Sequence, residues 1–252
     1  MPPEQAVTRR RPTPRTADGD IPGDIVKRLG PVVLRTFSVE DFHRVDMRSI
    51  AREAGMSFAT IYRHFKDKEA LLFRFIAHWL QDLYPAAIAA LETDKSPLAR
   101  LQDYLLVHLS YYERNPEVGR VIFMTVPLER WMRDDTYRAH EPVKRLLAVI
   151  AEGQEGGEIR ADVSGVVVFD AWSGIFTRAF LMWEYRGRAY SLTGQWPSLC
   201  KILVAGITAP VEADAVRPVT RKRAGAAPRG AVQPQPQGAS RSRRGATRRS
   251  VL

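Results

Sequence analysis

The sequence predicts an all-α fold, a short three-helix unit followed by a larger helical one, and three observations carry that expectation. Apolar and polar positions alternate at helical spacing from residue 22 to about 209. The interruptions fall at Pro, Gly and Asn, residues that end helices. No pair of segments reads as partnered strands, and the one β-branched run, Val166 to Val168, continues into a helical stripe. A chain of 252 residues with 45% hydrophobic content supports one or two compact domains.

Nine helices are expected, near 24–38, 46–53, 57–64, 68–90, 97–113, 116–124, 135–155, 163–187 and 192–208. In the first, Gly30-Pro31 either starts the main part of the helix or kinks it. Asp46 and Ser57 are placed to cap the next two, and Asp67 the fourth. Pro97 suits a first turn, where its missing N–H is not needed. Asn115-Pro116 ends one helix and begins another, and Gly156-Gly157 stops the long seventh.

Composition divides the chain further. Residues 1–21 form a Pro- and Arg-rich basic arm expected to be disordered, and 210–252 an Arg-rich tail expected to be disordered as well. Between them lie a first domain, 22–67, and a second, 68–209. The net charge of +10 belongs to the tail: residues 217–252 hold ten basic groups and no acid, and the remaining basic residues equal the 28 acidic ones. The high pI therefore does not by itself make the folded part a nucleic-acid binder. Either basic segment can be a DNA contact or a solvated extension. No run of about 18 apolar residues is present, so no membrane span is expected. The arginines near the N-terminus precede no apolar stretch, which argues against a secretory signal. A single cysteine, Cys200, excludes an internal disulfide and fits a cytoplasmic protein.

The segment from Asp46 to Leu72 carries the chemistry. Gly55 sits where two short helices need a tight, left-handed turn. In the second helix Ile61 and Phe65, four apart, face inward, leaving Ala59, Thr60, Arg63 and His64 on the other face. Small residues at the start of such a helix let its backbone approach a DNA groove, and donors further along reach phosphates and base edges.

The string Ile50-Ala51-x-x-Ala54-Gly55-Met56-Ser57, then Thr60-Ile61-Tyr62-Arg63-His64-Phe65-Lys66-Asp67-Lys68-Glu69-Ala70-Leu71-Leu72, resembles the DNA-binding domain of the tetracycline-repressor (TetR) family. The resemblance covers about 46–72. It implies an all-α subunit with an N-terminal three-helix helix-turn-helix domain and a C-terminal helical ligand-binding and dimerisation domain. Helices four to seven would then surround a ligand pocket and the last two would form a dimer bundle. It also implies that Arg48 contacts base or backbone, that Ser57, Phe58, Ala59 and Thr60 form the base-reading start of the recognition helix, and that Tyr62, Arg63, His64 and Lys68 meet phosphate or base. Phe58 stands where a polar residue is more usual; its ring can meet a thymine methyl or pack against the first helix. Asp41 replaces the glycine that commonly follows the first helix, and a left-handed Asp preserves the turn.

Trp79, Tyr104, His108, Tyr111, Phe123 and Trp131 are candidate pocket residues for an apolar or aromatic small molecule, with ordinary core packing as the alternative. Phe169, Trp172, Phe176, Phe180, Trp196 and Leu203 form apolar stripes on the last two helices and are candidates for a homodimer interface, the alternative again being core. Gly165 and Gly174 are candidates for close helix approach. The five histidines form no zinc-protease motif, and neither a phosphate-binding glycine loop nor a serine elbow is present. No enzyme activity, metal or cofactor is expected. The function expected is regulation of transcription at double-stranded operator DNA, as a repressor released by a small effector. The alternatives are an architectural DNA-binding protein without a ligand, and a helical small-molecule-binding protein with a vestigial helix-turn-helix.

Overall fold

The computed structural model describes residues 21–138 and 141–208, all within one compact unit, and the described residues contain no strand. The basic segments at either end lie outside them. The first helix, α1 (Gly23–Val39), runs without a break through Pro31, which therefore does not start it. Pro31 is exposed, while Ile25, Leu29, Val33 and Phe37 form the buried stripe. The turn after α1 does not use a left-handed Asp41; the only described non-glycine residue with positive φ is Arg188. A turn closed by Arg44 N–H donating to the Asp41 carbonyl, at 2.9 Å, reverses the chain instead.

Helices α2 (Met47–Glu53), α3 (Phe58–His64) and α4 (Lys68–Trp79) follow with the expected caps. The expected helix 68–90 is two helices, because the chain breaks after α4 and resumes as α5 (Leu83–Leu91). Pro85 has no N–H to donate to the Gln81 carbonyl, and tighter three-residue bonds such as Leu83 N–H to Leu80 close the break. Helix α6 (Pro97–Arg114) begins at Ser96, whose hydroxyl accepts from Ala99 N–H.

The expected helix 116–124 is α7 (Pro116–Arg120) running into a π turn, Val121–Thr125. The turn closes with Val126 N–H donating to the Val121 carbonyl five residues back, at 2.9 Å. Short helices α8 (Leu128–Arg133) and α9 (Asp135–Arg138) precede α10 (Glu141–Glu155), so the expected helix 135–155 starts later and an extra helix stands before it. Gly157, at φ +73°, ends α10 as expected. The last two helices are α11 (Gly165–Tyr185) and α12 (Trp196–Ile207), the latter entered through one 3₁₀ turn.

Helix α1 joins the two halves of the fold: it packs on α2 and α4 and also on α7 and the π turn. Helices α5, α6 and α10 pack together, with α11 and α12 against α6. Two glycines missed by the sequence reading set the tightest contacts. A Cβ on Gly119 would lie 2.3 Å from Phe180 Cζ, and one on Gly153 2.5 Å from Ile159 Cδ1. Gly165 does face neighbours at 3.4 Å, but a Cβ on Gly174 would meet nothing within 4 Å. Helix α11 is the one described helix long and apolar enough to cross a membrane, and its largest side chains are committed to the protein interior.

Candidate DNA-binding face and ligand cavity

Helix α3 is positioned from both ends. Asp46 accepts from the N–H groups of Arg48 and Ser49, both at 3.2 Å, starting α2, and this holds its carboxyl below the usual range. Gly55, at φ +61°, makes the turn, and Arg28 of α1 donates to the Ala54 and Gly55 carbonyls that end α2. Ser57 accepts from Thr60 N–H at 3.0 Å and opens α3. At the other end Arg74 Nη1 donates to the His64 carbonyl at 3.0 Å. Arg28 and Arg74 carry no local sequence signal, since their partners lie 26 to 27 and ten residues away.

This framing fixes which face of α3 is free. Ile61 and Phe65 are fully buried, whereas Ser57, Phe58, Ala59, Tyr62 and Arg63 are exposed and Thr60 and His64 half-buried. Phe58 does not fold back as core: its ring stands 4.4 Å from that of Tyr62, and the exposed Arg48 guanidinium lies over it at 5.4 Å. Among the described residues neither Arg48 nor Arg63 forms an ion pair. Lys68 is different from the expectation. Its ammonium donates to the Phe42 carbonyl at 2.6 Å, Val45 at 3.0 Å and His43 at 3.4 Å, and it sits 4.6 Å over the Phe42 ring. An ammonium has three N–H donors, so Lys68 holds the α1–α2 turn from inside instead of offering itself to phosphate.

In the second half, α5, α6, the π turn, α8, α10 and α11 enclose a cavity of about 430 Å³. Of the expected pocket residues, Tyr104, His108, Phe123 and Trp131 line it. Trp79 and Tyr111 do not; the Tyr111 hydroxyl donates to the Trp79 carbonyl at 2.5 Å, locking α6 to the end of α4. Three residues expected at a dimer interface, Phe169, Trp172 and Phe176, are cavity wall. The others also pack against the subunit itself, Trp196 only half-buried. Phe180 is fully buried against Gly119, Leu203 is buried, and Trp196 donates its indole N–H to the Gln102 carbonyl at 2.9 Å. The stripe was read correctly as apolar, but its large side chains are what the subunit's own core needs. The surface that α11 and α12 leave exposed includes smaller apolar groups, Val166, Val167, Ala171 and Gly174 with Ile202 and Ala205, beside Tyr185 at the end of α11.

His108 is the informative polar group of the cavity. Its Nδ1 lies 2.9 Å from the Tyr104 carbonyl oxygen, which can only accept, so Nδ1 carries the proton. Burial pulls the imidazole down to about 4, with the Tyr104 carbonyl opposing in part. Burial likewise raises the phenols of Tyr104, Tyr112, Tyr84 and Tyr137, so the cavity holds them as neutral hydroxyls. The sequence reading missed Asp170, Ser173 and Thr177 of α11, which also line the cavity. Asp170 had a signal: it is the only acid between Val163 and Trp183. Burial raises the Cys200 thiol to about 11, in keeping with an inert buried group.

Residues 34–75 match the model of the bacterial regulatory proteins of the tetR family. The helix-turn-helix segment is thus similar to that of the tetR-family regulators. The chain is 31% identical over 98 residues to the HTH-type transcriptional regulator RutR of Escherichia coli strain K12, covering 39% of this chain and 46% of RutR. It is 38% identical over 85 residues to the HTH-type transcriptional regulator BetI of Agrobacterium fabrum, covering 34% of this chain and 40% of BetI. It thus spans less than half the length of these relatives. The fold likeness extends further: Bacillus subtilis FadR, solved in complex with stearoyl-CoA, superposes with a TM-score of 0.62 at 18% identity, over 72% of this chain and 98% of FadR.

Proposed function

We propose that the protein is a sequence-specific DNA-binding regulator of transcription, acting as a homodimer and released from its operator by a small molecule held in the cavity. The observation that carries this reading is the α3 face. Its inner residues Ile61 and Phe65 are locked in the core, while Phe58, Ala59, Tyr62 and Arg63 stand free beside Arg48. Such a helix enters a major groove with its N-terminal residues at the base edges. Arg48 and Arg63 supply donors for guanine or phosphate, and the Phe58 ring an apolar contact for a thymine methyl. Lys68 acts indirectly, by fixing the turn that sets α2 against α1.

A two-fold partner on the exposed α11–α12 face would place two α3 helices on one side of the duplex, roughly one DNA turn apart. The gating reading is supported by two physical connections. Ile122, Phe123 and Met124 of the π turn line the cavity, and the same turn packs on α1. Arg130 of α8, next to the cavity residue Trp131, pairs with Glu69 in the first turn of α4. A ligand that binds one arrangement of these walls better than another shifts the position of α1 and α4 by that difference in affinity. The stearoyl-CoA of FadR makes an acyl chain a reasonable occupant of apolar walls, but its phosphates call for cations, and none of the described lining residues is Lys or Arg.

The test is enrichment of bound DNA from a random duplex pool by the purified full chain. The reading expects an inverted repeat with half-sites about one turn apart. A pool that stays random at high salt would overturn it in favour of non-specific binding.

A further inference from the structure

The cavity differs in polarity from an ordinary apolar pocket, and the difference is one-sided. Its one acidic described lining residue is Asp170, on the solvent-exposed side of the wall. Deeper in, His108 gives its Nδ1 proton to the Tyr104 carbonyl, which leaves Nε2 of the neutral ring as a pure acceptor. Ser173, Thr177 and the tyrosine hydroxyls can donate or accept. Donor-only groups are confined to the indole N–H of Trp131 and Trp172, neutral dipoles that do not balance a carboxylate's charge. The rest of the wall is shared between aromatic rings and aliphatic side chains. Rings of Tyr112, Phe123 and Phe176 stand 5.1 to 5.6 Å apart, and π faces carry the negative end of the ring quadrupole.

We propose that the effector site selects an amphiphilic organic cation, an apolar or aromatic body bearing a protonated amine, with Asp170 as the charge-selecting residue and His108 Nε2 as an acceptor for a donor group. This rests on the reading of the cavity as the ligand site and adds the charge of its ligand. An anionic amphiphile of the same shape brings a carboxylate to a wall with one acid and no described Lys or Arg, and loses hydration without gaining a partner. An ammonium gains the Asp170 carboxylate and the ring faces. Because Asp170 is exposed, water screens it, and the preference is modest: about tenfold for ammonium over carboxylate on one skeleton.

Three probes on one skeleton test this: phenyloctylamine, phenyloctanol and phenyloctanoate. Binding is measured by calorimetry near neutral pH, on the full-length protein and on Asp170→Asn. The amine is expected to bind tightest and the carboxylate weakest. Asp170→Asn is expected to bring the amine close to the alcohol while leaving the alcohol's affinity unchanged, which a merely structural Asp170 would not do. A carboxylate that binds tightest, or an amine-to-alcohol ratio unmoved by Asp170→Asn, overturns the charge assignment and leaves the cavity as a ligand site. Failure of all three to bind overturns both the charge assignment and the ligand reading. Neither result touches the DNA-binding face.

Discussion

Lys68 at the start of α4 and Phe42 in the turn after α1 are bound twice over, the ammonium donating to the Phe42 carbonyl at 2.6 Å and standing over the Phe42 ring at 4.6 Å. With the carbonyls of Val45 and His43 also accepting, Lys68 gathers a turn whose backbone oxygens no helix satisfies. Lys68→Ala is therefore expected to lower stability by about 1–3 kcal/mol, the worth of charge-assisted hydrogen bonds, and to weaken DNA binding as a consequence. Thermal denaturation beside operator titration checks it. An unchanged melting temperature with weakened binding would instead assign Lys68 to phosphate.

Arg63 and Tyr62 present the opposite case, since both side chains are exposed at the free face of α3. Arg63→Ala and Tyr62→Ala are expected to leave the melting temperature in place and to reduce operator affinity. If Arg63 meets phosphate, its loss flattens the salt dependence by about 0.9 in log–log slope and affects all sequences alike. If it reads a guanine, the loss is about 1–3 kcal/mol on the operator alone. Tyr62 carries no charge, so Tyr62→Ala should leave the slope unchanged. Full operator affinity in both variants would remove α3 from the interface.

How much of this was legible in the sequence follows the range of each interaction. Asp46, Ser57 and Asp67 were read as caps because a cap bonds two or three residues ahead, and each does so. The direction of the Lys68 side chain was not legible, because its partners lie 23 to 26 residues back. Nor was the role of Glu113, whose carboxylate holds the Leu192 and Thr193 N–H groups and so anchors the approach to α12; burial raises its carboxyl, but the Thr193 and Ser191 hydroxyls, with those N–H groups, keep it below the usual range. Periodicity identified Phe169, Trp172 and Phe176 as one apolar stripe, but a stripe does not say what it meets. Within α11 the rings of Trp172, Phe176, Phe180 and Trp183 turn to the cavity and core, and Val166, Val167 and Ala171 are left outside with Tyr185 at the helix end.

That division sets where a dimer test belongs. Val167 of α11 is 53% exposed and Ile202 of α12 63%, whereas Phe176 is 8% exposed and belongs to the cavity wall. Val167→Glu with Ile202→Glu is expected to give folded monomers in analytical ultracentrifugation, because two buried like charges facing their copies across a two-fold axis have no partner. Phe176→Glu is expected to unfold or loosen the subunit, with loss of near-ultraviolet circular dichroism. A wild-type chain that sediments as a monomer at micromolar concentration would refute the interface outright.

The last prediction concerns acid. His108 is held neutral in the folded protein, its value pulled from 6.5 to about 4 by burial. Above 6.5 the ring is neutral folded or unfolded and contributes no pH dependence. Between 6.5 and about 4 the unfolded chain binds a proton that the folded one refuses, so stability falls as pH falls through that window and levels off below it. The carboxylates held low by their partners, Glu113, Asp162 and Glu152, act further down, where carboxylates begin to protonate. The two effects overlap towards the lower end of the His108 window, so the imidazole is isolated by comparison with a variant that lacks it. Urea denaturation of wild type and His108→Gln, measured across the window, isolates the imidazole. The wild type should lose stability more steeply than the variant on going from neutral towards pH about 4, and the two curves should run parallel below that. Parallel curves throughout would mean that the cavity's water reaches His108 freely, and the ring would then titrate as an ordinary surface histidine.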